Sequence, residues 1–436
     1  MKISPLEAWI SRLIGTNGTG LSRERIETFR LAKLRETIGW AKASSPFYRE
    51  HLAGLSQEDL TGLEALTRFP FTTAEDIRRQ PLRFLCVSQS EVSRVVTLQT
   101  SGTTGEPKRV FFTIDDQERT IDFFHHGMST LAGPGDRVLI LLPGTLPGSV
   151  GDLLVKGLER LGAVGVPHGP VREAPLTLEV MGKERIDTLV GIPAQVLGLA
   201  RLSGGTAAPR SVLLSADHVP DAVSTELRRI WGCEVFTHYG MTEMGFGGGV
   251  ECEARNGYHL READLYIEIV DPETGRSVSE GDPGEVVFTT LTRRGMPLIR
   301  YRTGDVSRFV PGPCPCGTVL KTLARVKSRL CSIAIAQGGR LTMTDLDEAI
   351  FPVEGVLDFS ASLESAPGTD RLRIEAQATA PDSRQTIAAI QEALNVVPVI
   401  RSALRKGALA LDVRLLPKGQ TVKRNTAKRV LLDLRD

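Results

Sequence analysis

The chain has little of several residue types, and each shortage excludes a class of protein. Six cysteines among 436 residues are too few for a disulfide scaffold, and no run approaches the roughly 18 apolar residues of a membrane span. Lysine plus arginine (53) nearly equal aspartate plus glutamate (52), so no net field attracts nucleic acid or an anionic membrane. The first residues lack the pattern of a signal peptide. We therefore expect a cytoplasmic protein with no nucleic-acid and no membrane partner.

The sequence does contain a regular alternation of apolar runs and amphipathic segments. Its length predicts two or three domains, and apolar residues at 41% allow a full core. A helical period over the first 60 or so residues gives way, from Val95, to strands alternating with helices, which predicts a largely parallel sheet. We predict an α/β fold: a large N-terminal domain of mixed and parallel sheets with helices (1–327), and a small mobile α+β C-terminal domain (328–436).

One loop is unusual in its composition. "VVTLQTSGTTGEPKRVFFT", Val95 to Thr113, places glycine, serine and threonine between two strand-like runs. Such a loop can turn backbone N–H groups and hydroxyls toward phosphate, since glycine permits close approach, but it can also be a plain hairpin turn. It does not match G-x-x-x-x-G-K-[ST], so a Walker-type loop is not expected.

Two later segments favour the phosphate-binding interpretation of that loop. They are "THYGMTE", Thr237 to Glu243, and "PLIRYRTGD", Pro297 to Asp305. In this order the three segments resemble the adenylate-forming superfamily of acyl-CoA ligases, peptide-synthetase adenylation domains and luciferases. "YRTGD", "CPCG" and the helical N-terminus are most similar to the phenylacetate–CoA ligase branch. The resemblance extends from about Tyr48 to Val430.

The resemblance implies nucleotide-binding roles for the matching positions. The β- and γ-phosphates of ATP would be held by Thr100, Ser101, Gly102, Thr103, Thr104 and Gly105. Of these residues, Thr104 would also take part in catalysis. The adenine would be stacked by Tyr239 and bordered by Ser215, Ala216 and Asp217. Asp305 would accept the ribose hydroxyls.

The same resemblance implies residues around the reacting phosphate. In the second motif, Gly240 and Met241 precede Thr242, which would contact the α-phosphate, and Glu243, which would hold Mg²⁺. Arg302 would lie near the phosphates or order the loop. His238 either orients the attacking carboxylate or fills its strand.

The chemistry implied is activation of a carboxylic acid. A carboxylate attacks the α-phosphorus of ATP, which requires positioning and charge neutralisation and no side-chain nucleophile. An acyl-adenylate forms, and CoA then takes the acyl group, so the expected partners are a small carboxylic acid, ATP and CoA. A homodimer is left open. Two alternatives also stay open: an adenylating enzyme of the coenzyme or phenazine-acid type that does not use CoA, and a nucleotide-binding protein with degraded catalysis.

The C-terminal part departs from the family pattern. Where the branch has S-D-D in its hinge, this chain has Leu330, Cys331 and Ser332. "NTAKRV" puts Thr426 where the family has the lysine that neutralises the carboxylate and the α-phosphate. Lys423 and Lys428 flank it, and we take Lys428 as the candidate substitute.

A second constellation predicts a metal. "ECEARNGYH" and "PCPCG" supply Cys252, His259, Cys314 and Cys316, a four-ligand set suited to structural zinc. Buried free cysteines or a disulfide between near neighbours are the alternatives.

The segment from Leu141 to Ala163 matches the lining of the acyl pocket in relatives but has no aromatic residue. Gly148 to Gly151 could leave space for a flat ring or could begin a helix.

Overall fold

The computed structural model describes residues 1–16, 20–98, 106–330, 332–335, 339–380, 383–417, 419–422 and 428–435. Its helices are α1 (Pro5–Ile14), α2 (Arg23–Ser44), α3 (Pro46–His51), α4 (Ala74–Arg79), α5 (Ile114–Met128), α6 (Val150–Leu161), α7 (Ala174–Lys183), α8 (Pro193–Ser203), α9 (Asp221–Trp231), α10 (Met343–Ile350), α11 (Arg384–Val396) and α12 (Pro398–Arg405). Its strands are β1 (Arg94–Leu98), β2 (Lys108–Phe112), β3 (Arg137–Ile140), β4 (Val164–Pro167), β5 (Thr188–Gly191), β6 (Ser211–Leu214), β7 (Glu234–Tyr239), β8 (Gly249–Glu251), β9 (Tyr258–Leu260), β10 (Leu265–Val270), β11 (Gly284–Thr290), β12 (Tyr301–Ser307), β13 (Thr322–Leu323), β14 (Ser328–Arg329), β15 (Ile333–Ile335), β16 (Gly339–Leu341), β17 (Val356–Ala366), β18 (Thr369–Ala378), β19 (Leu409–Leu415) and β20 (Leu431–Asp433).

The chain divides into two compact units, each built from several stretches. The first unit comprises Met1–Asp136, Pro143–Pro167 and Phe236–Val326. The second comprises Arg137–Leu142, His168–Val235 and Lys327–Asp436. The second unit thus joins the predicted C-terminal domain, 328–436, to an earlier part of the chain. The proposed boundary near residue 327 and the mobility of that domain stay predictions.

The first unit has an apolar core enclosed by antiparallel strands and the N-terminal helices. Strands β10, β11 and β12 pair antiparallel in that order, and every residue of β11 is buried. The N-cap residue Ser22 precedes α2 and its side chain accepts the N–H of Arg25, so the predicted N-terminal helix has a capped start. The Tyr48 hydroxyl accepts the N–H of Ile299 at 3.0 Å, which fastens α3 to the segment that enters β12.

The second unit contains three parallel strands and a separate four-stranded sheet. Strands β3, β5 and β6 pair parallel, and all residues of β5 and β6 are buried, as a sheet covered on both faces requires. Strands β19, β18, β17 and β20 form the second sheet. Glu348 of α10 accepts the first N–H groups of α9, from Asp221 at 2.7 Å and Ala222 at 3.0 Å. This contact ties the C-terminal residues to α9.

The structure confirms the α/β fold that the sequence predicts. The strand–helix alternation of the middle of the chain is present as β5, α8, β6 and α9, and the C-terminal α+β pattern as α10, β17, β18 and α11. Among the described residues, no single helix is long and apolar enough to cross a membrane. Only the bent pair α11 and α12 meets that test of length and composition when taken together.

Candidate functional site

The predicted phosphate loop connects two paired strands. Thr100, Ser101, Gly102, Thr103, Thr104 and Gly105 lie outside the described residues. On either side of the loop, β1 and β2 pair antiparallel with Leu98 opposite Lys108. Lys108 therefore begins the strand that follows the loop, next to its end.

The predicted adenine and ribose residues lie side by side. Tyr239 ends β7 and Asp305 lies on β12, 66 positions apart, and the Tyr239 hydroxyl donates to Asp305 Oδ2 at 3.1 Å. Both residues are buried, and the Tyr239 ring stacks on Tyr258 with 5.7 Å between ring centroids. The fold therefore brings together two of the three sequence motifs.

The predicted Mg²⁺ ligand is a buried carboxylate with cationic and hydroxyl partners. The Glu243 side chain is 4% exposed, and its Oε1 accepts hydrogen bonds from Lys108 Nζ and, at 3.2 Å, from the Tyr301 hydroxyl. Lys108 Nζ also donates to Tyr301 Oη at 3.2 Å. Sequence reasoning assigned no partner to Glu243. The signal available was that Lys108 follows the loop and Tyr301 begins "YRTGD".

A buried arginine holds the main chain at the same carboxylate. Arg293 donates from Nη1 to the carbonyl oxygen of Glu243 at 2.8 Å, and its guanidinium lies 4.7 Å from the Phe112 ring centroid. Burial lowers the pKa of Arg293, although the nearby carboxylates of Asp116 and Glu243 oppose this. The sequence offers no local signal for this contact, since 50 residues separate the two partners.

The turn after β7 explains why its glycines are needed. Gly240 lies against this turn, where an added Cβ would come within 2.7 Å of the Phe246 carbonyl oxygen. Met241 and Thr242 lead into a short 3-10 helix that includes Glu243 and ends at Gly245, whose φ is 73°. Because only glycine adopts that conformation without strain, "GMTEMG" sets the position of the carboxylate through its backbone.

His238 is a half-buried side chain on β7. Burial, with a smaller effect of Arg261, lowers the pKa of His238 to about 4. Its ring lies 5.9 Å from that of Phe123, centroid to centroid. A neutral imidazole can orient a carboxylate through a hydrogen bond but supplies no fixed positive charge near pH 7.

Arg302 contacts the neighbouring strand and loop. Its Nε donates to Glu285 Oε2 at 2.7 Å, and its Nη2 donates to the Pro272 carbonyl at 2.9 Å. The guanidinium also lies 5.2 Å from the centroid of the Phe71 ring. These contacts tie β12 to β11 and to the turn that follows β10.

The predicted adenine-bordering segment follows β6 in the second unit. Ser215 is buried, and Ala216 has a φ of 71°, which is strained for a residue with a Cβ. Asp217 Oδ2 accepts the backbone N–H of Arg429 at 2.9 Å. Burial raises the pKa of Asp217, while hydrogen bonds and the charges of Arg429 and Lys428 lower it. Lys428 is exposed; Lys423, Thr426 and Cys331 lie outside the described residues.

Gly148 and Gly151, in the segment that matches the acyl-pocket lining of relatives, lie at the start of α6. Gly148 has a φ of 71°, and its N–H donates to Asp152 Oδ2 at 2.8 Å, one residue before the N-cap Ser149 of α6. Of the two alternatives for this segment, the structure contains the helix start.

The four candidate zinc ligands converge in the first unit. Their ligand atoms all lie within 4.8 Å of one another, and all four residues are buried. Cys252 Sγ is 3.7 Å from Cys314 Sγ, and Cys316 Sγ is 3.4 Å from His259 Nε2. Ligands at about 2.3 Å from a tetrahedral zinc ion lie roughly 3.7 Å apart, so the set fits this metal. Cys252 follows β8, His259 lies on β9, and the other two follow β12.

Comparisons with known proteins agree with this arrangement. Residues 74–291 match the protein family described as AMP-binding enzyme. The chain is 29% identical over 442 residues to a phenylacetate–coenzyme A ligase of Thermus thermophilus, covering 95% of this chain and 98% of that protein. It is 30% identical to a phenylacetate–coenzyme A ligase of Aromatoleum evansii, covering 76% of each.

A solved structure shares the fold. The crystal structure of a 2-hydroxyisobutyryl-CoA ligase in the postadenylation state, in complex with R3-HIB-AMP, superposes with a TM-score of 0.79 at 22% identity. The match covers 95% of this chain and 90% of that one. At this identity the likeness supports the fold alone.

Proposed function

The chain belongs to the AMP-binding enzyme family, and on that premise we propose that it activates an aryl acid, with an aryl acetate as the favoured class. It is an AMP-forming ligase that joins an organic acid to coenzyme A through an acyl-adenylate. The observation that carries this function is the convergence of motifs: Tyr239 bonded to Asp305, and Glu243 bonded to Tyr301 of the same "YRTGD" segment.

The nucleotide contacts follow from this geometry. Tyr239 presents a ring for the adenine, and Asp305 has a carboxylate that can accept both ribose hydroxyls once it releases the Tyr239 hydroxyl. Ser215 to Asp217 border the adenine, and the loop Thr100 to Gly105 holds the terminal phosphates. These assignments rest on the motif resemblance and on the contacts of the described residues.

The reacting centre requires neutralised charge. A carboxylate oxygen of the acid forms a bond to the α-phosphorus while the bond to pyrophosphate breaks, and the transition state gathers negative charge. Mg²⁺, when bound at Glu243, would offset that charge, and one buried carboxylate together with substrate phosphates is a usual Mg²⁺ ligand set. Lys108, which pairs with Glu243 and follows the loop, would contribute a positive charge to the phosphates if Glu243 held Mg²⁺. His238, which precedes Tyr239 on β7, orients the acid.

The thioester step uses the same acyl group. The CoA thiol, after losing its proton, attacks the acyl carbon, and AMP leaves with the electrons of the acyl–oxygen bond. Thr426 in place of the family lysine favours one second candidate function, that of an adenylating enzyme that does not pass its product to CoA. The metal and the location are also part of the proposal: zinc at Cys252, His259, Cys314 and Cys316, in a cytoplasmic enzyme.

The acid class is tested by exchange of labelled pyrophosphate into ATP. We expect aryl acetates to support exchange at least about tenfold faster than short aliphatic acids at equal concentration, because an apolar pocket gains about 1.4 kcal/mol or more from a buried ring. Faster exchange with the aliphatic acids would contradict the aryl assignment while leaving the adenylating activity established.

Replacement of Asp305 by asparagine should weaken ATP and AMP binding about 10–100-fold. The change keeps an acceptor for the Tyr239 hydroxyl and removes the charge that strengthens two ribose hydrogen bonds, which are worth about 1.5–3 kcal/mol for a charged acceptor. Isothermal calorimetry with AMP measures the effect. The exposed Asp115 provides the matched control, as Asp115→Asn, and an unchanged affinity of Asp305→Asn would remove this residue from the ribose site.

A further inference from the structure

The C-terminal segment holds a buried arginine that the proposed chemistry does not use. The side chain of Arg429 is only 4% exposed. Its Nε donates to Asp347 Oδ1 at 3.0 Å, and its Nη1 donates to Asp358 Oδ1. Two phenylalanine rings lie against the guanidinium, with centroids 4.1 Å (Phe359) and 4.8 Å (Phe351) from its central carbon.

The surroundings of Arg429 fit a planar guanidinium group with several N–H donors. Asp347 on α10 and Asp358 on β17 approach different nitrogens of the guanidinium, and both ring centroids lie within 4.8 Å of its central carbon. Burial raises the pKa of Asp347 to about 7 even though Arg429 opposes this. A lysine keeps the charge but cannot reach two carboxylates at fixed angles or make the same contacts with the rings.

The main chain of the same residue makes a second link. The N–H of Arg429 donates to Asp217 Oδ2 at 2.9 Å, in the segment predicted to border the adenine. Lys428, the candidate cation for the α-phosphate, is the residue directly before it, and its charge contributes to lowering the pKa of Asp217. Two residues later, β20 pairs parallel with β17, with Leu431 opposite Ala361.

These contacts fix the position of both the side chain and the backbone amide of Arg429. The side chain is fixed to α10 and β17, and the backbone amide is fixed to Asp217. A displacement of the guanidinium therefore moves the amide and the neighbouring Lys428 together. The Asp217 carboxylate does not depend on Arg429 for a hydrogen-bond donor, because its Oδ1 also accepts the N–H of His218 at 2.9 Å.

We propose that Arg429 is a positioning residue for adenylate formation, which holds Lys428 beside the Asp217 segment through its buried guanidinium and its bonded amide. The proposal rests on the proposed function. It predicts that adenylate formation depends on the shape of residue 429 and not only on its charge. The thioester step, tested with preformed acyl-adenylate, does not depend on this link.

The test compares Arg429→Lys with the parent in two half-reactions: pyrophosphate release from acid and ATP, and thioester formation from synthetic acyl-adenylate and CoA. We expect the first rate to fall about 10–100-fold, because displacement of a positioned group by about 1 Å has effects of this size. We expect the second rate to stay within about twofold. Lys428→Ala should give a similar loss of the first rate. The double variant should lose little more, because both changes remove the same contribution of a positioned Lys428.

The matched control is Arg435→Lys, another arginine of the C-terminal segment, paired with Asp370 at 2.8 Å. It should leave both rates unchanged. An adenylation rate of Arg429→Lys within twofold of the parent, equal losses in both half-reactions, or additive losses in the double variant would overturn the proposal.

Amide hydrogen exchange of the peptide containing residues 428–431 separates this inference from the function on which it rests. The parent should protect the Arg429 amide, and Arg429→Lys and Asp217→Ala should each lose that protection. If the parent releases no pyrophosphate with any acid, the proposed function fails. Unchanged protection in Arg429→Lys overturns the link itself, whatever the activity.

Discussion

Replacement of Glu243 by glutamine should slow adenylate formation about 10²–10³-fold, the cost typical of removing one preorganised charge-stabilising group. Glutamine keeps the volume and can still accept from the Tyr301 hydroxyl. It removes the negative charge that would hold Mg²⁺ and that pairs with Lys108. The loss should therefore be larger at low Mg²⁺ than at saturating Mg²⁺.

Rapid-quench measurement of pyrophosphate release over a range of Mg²⁺ concentrations tests this expectation. Glu280→Gln, at an exposed glutamate of the same unit, is the control for loss of one negative charge. Thermal unfolding of both variants shows whether the fold is kept, which matters because Lys108 loses its counter-charge. A Glu243→Gln rate within about threefold of the parent, with an unchanged Mg²⁺ dependence, would exclude Glu243 as the metal ligand.

Replacement of Cys314 by alanine should abolish zinc binding and destabilise the first unit. Zinc held by the four ligands would fasten the loop after β8 and the loop after β12 to β9, so loss of the metal would free both loops. Structural zinc contributes directly to folding, and loss of a metal belongs to the changes that cost several kcal/mol. A loss of about 3 kcal/mol lowers the thermal midpoint by roughly 6–12 °C in a domain of this size.

Metal analysis and calorimetry measure the two effects. The parent, purified without added zinc, should contain about one zinc ion per chain, and Cys314→Ala should contain almost none. Cys86→Ala is the matched control, because Cys86 is a buried thiol of the same unit outside the cluster. A metal-free parent with an unchanged midpoint in Cys314→Ala would refute the zinc site.

Much of the fold could be predicted because its signals are local. The helix α2 has a capped start and a helical period, and the alternation around β5 and β6 has the apolar runs of a covered parallel sheet. The candidate site could be anticipated in the same way, since the motifs at Tyr239 and Asp305 are contiguous stretches of unusual composition. Tyr239 at the end of β7 and Asp305 within β12 meet through a hydrogen bond between their side chains, although 66 residues separate them.

The contacts that hold the site in place have no such signal. Lys108 meets Glu243 across 135 positions, and Arg293 reaches the Glu243 carbonyl across 50. The residues around Arg429 in the sequence do not indicate that it pairs with Asp347, which lies 82 positions earlier. Such pairs arise from the packing of distant elements and leave no periodic pattern. For the same reason the sequence did not indicate that residues 168–235 form one compact unit with the C-terminal part.

Release of AMP measured with and without CoA tests most directly whether this chain transfers an activated acyl group to CoA. With ATP, Mg²⁺ and the best acid of the panel, we predict slow or single-turnover AMP release without CoA. With CoA we predict multiple turnovers and one acyl-CoA formed for each AMP. Equal AMP release in both conditions, with no acyl-CoA, would contradict the account and favour an adenylating enzyme that does not use CoA.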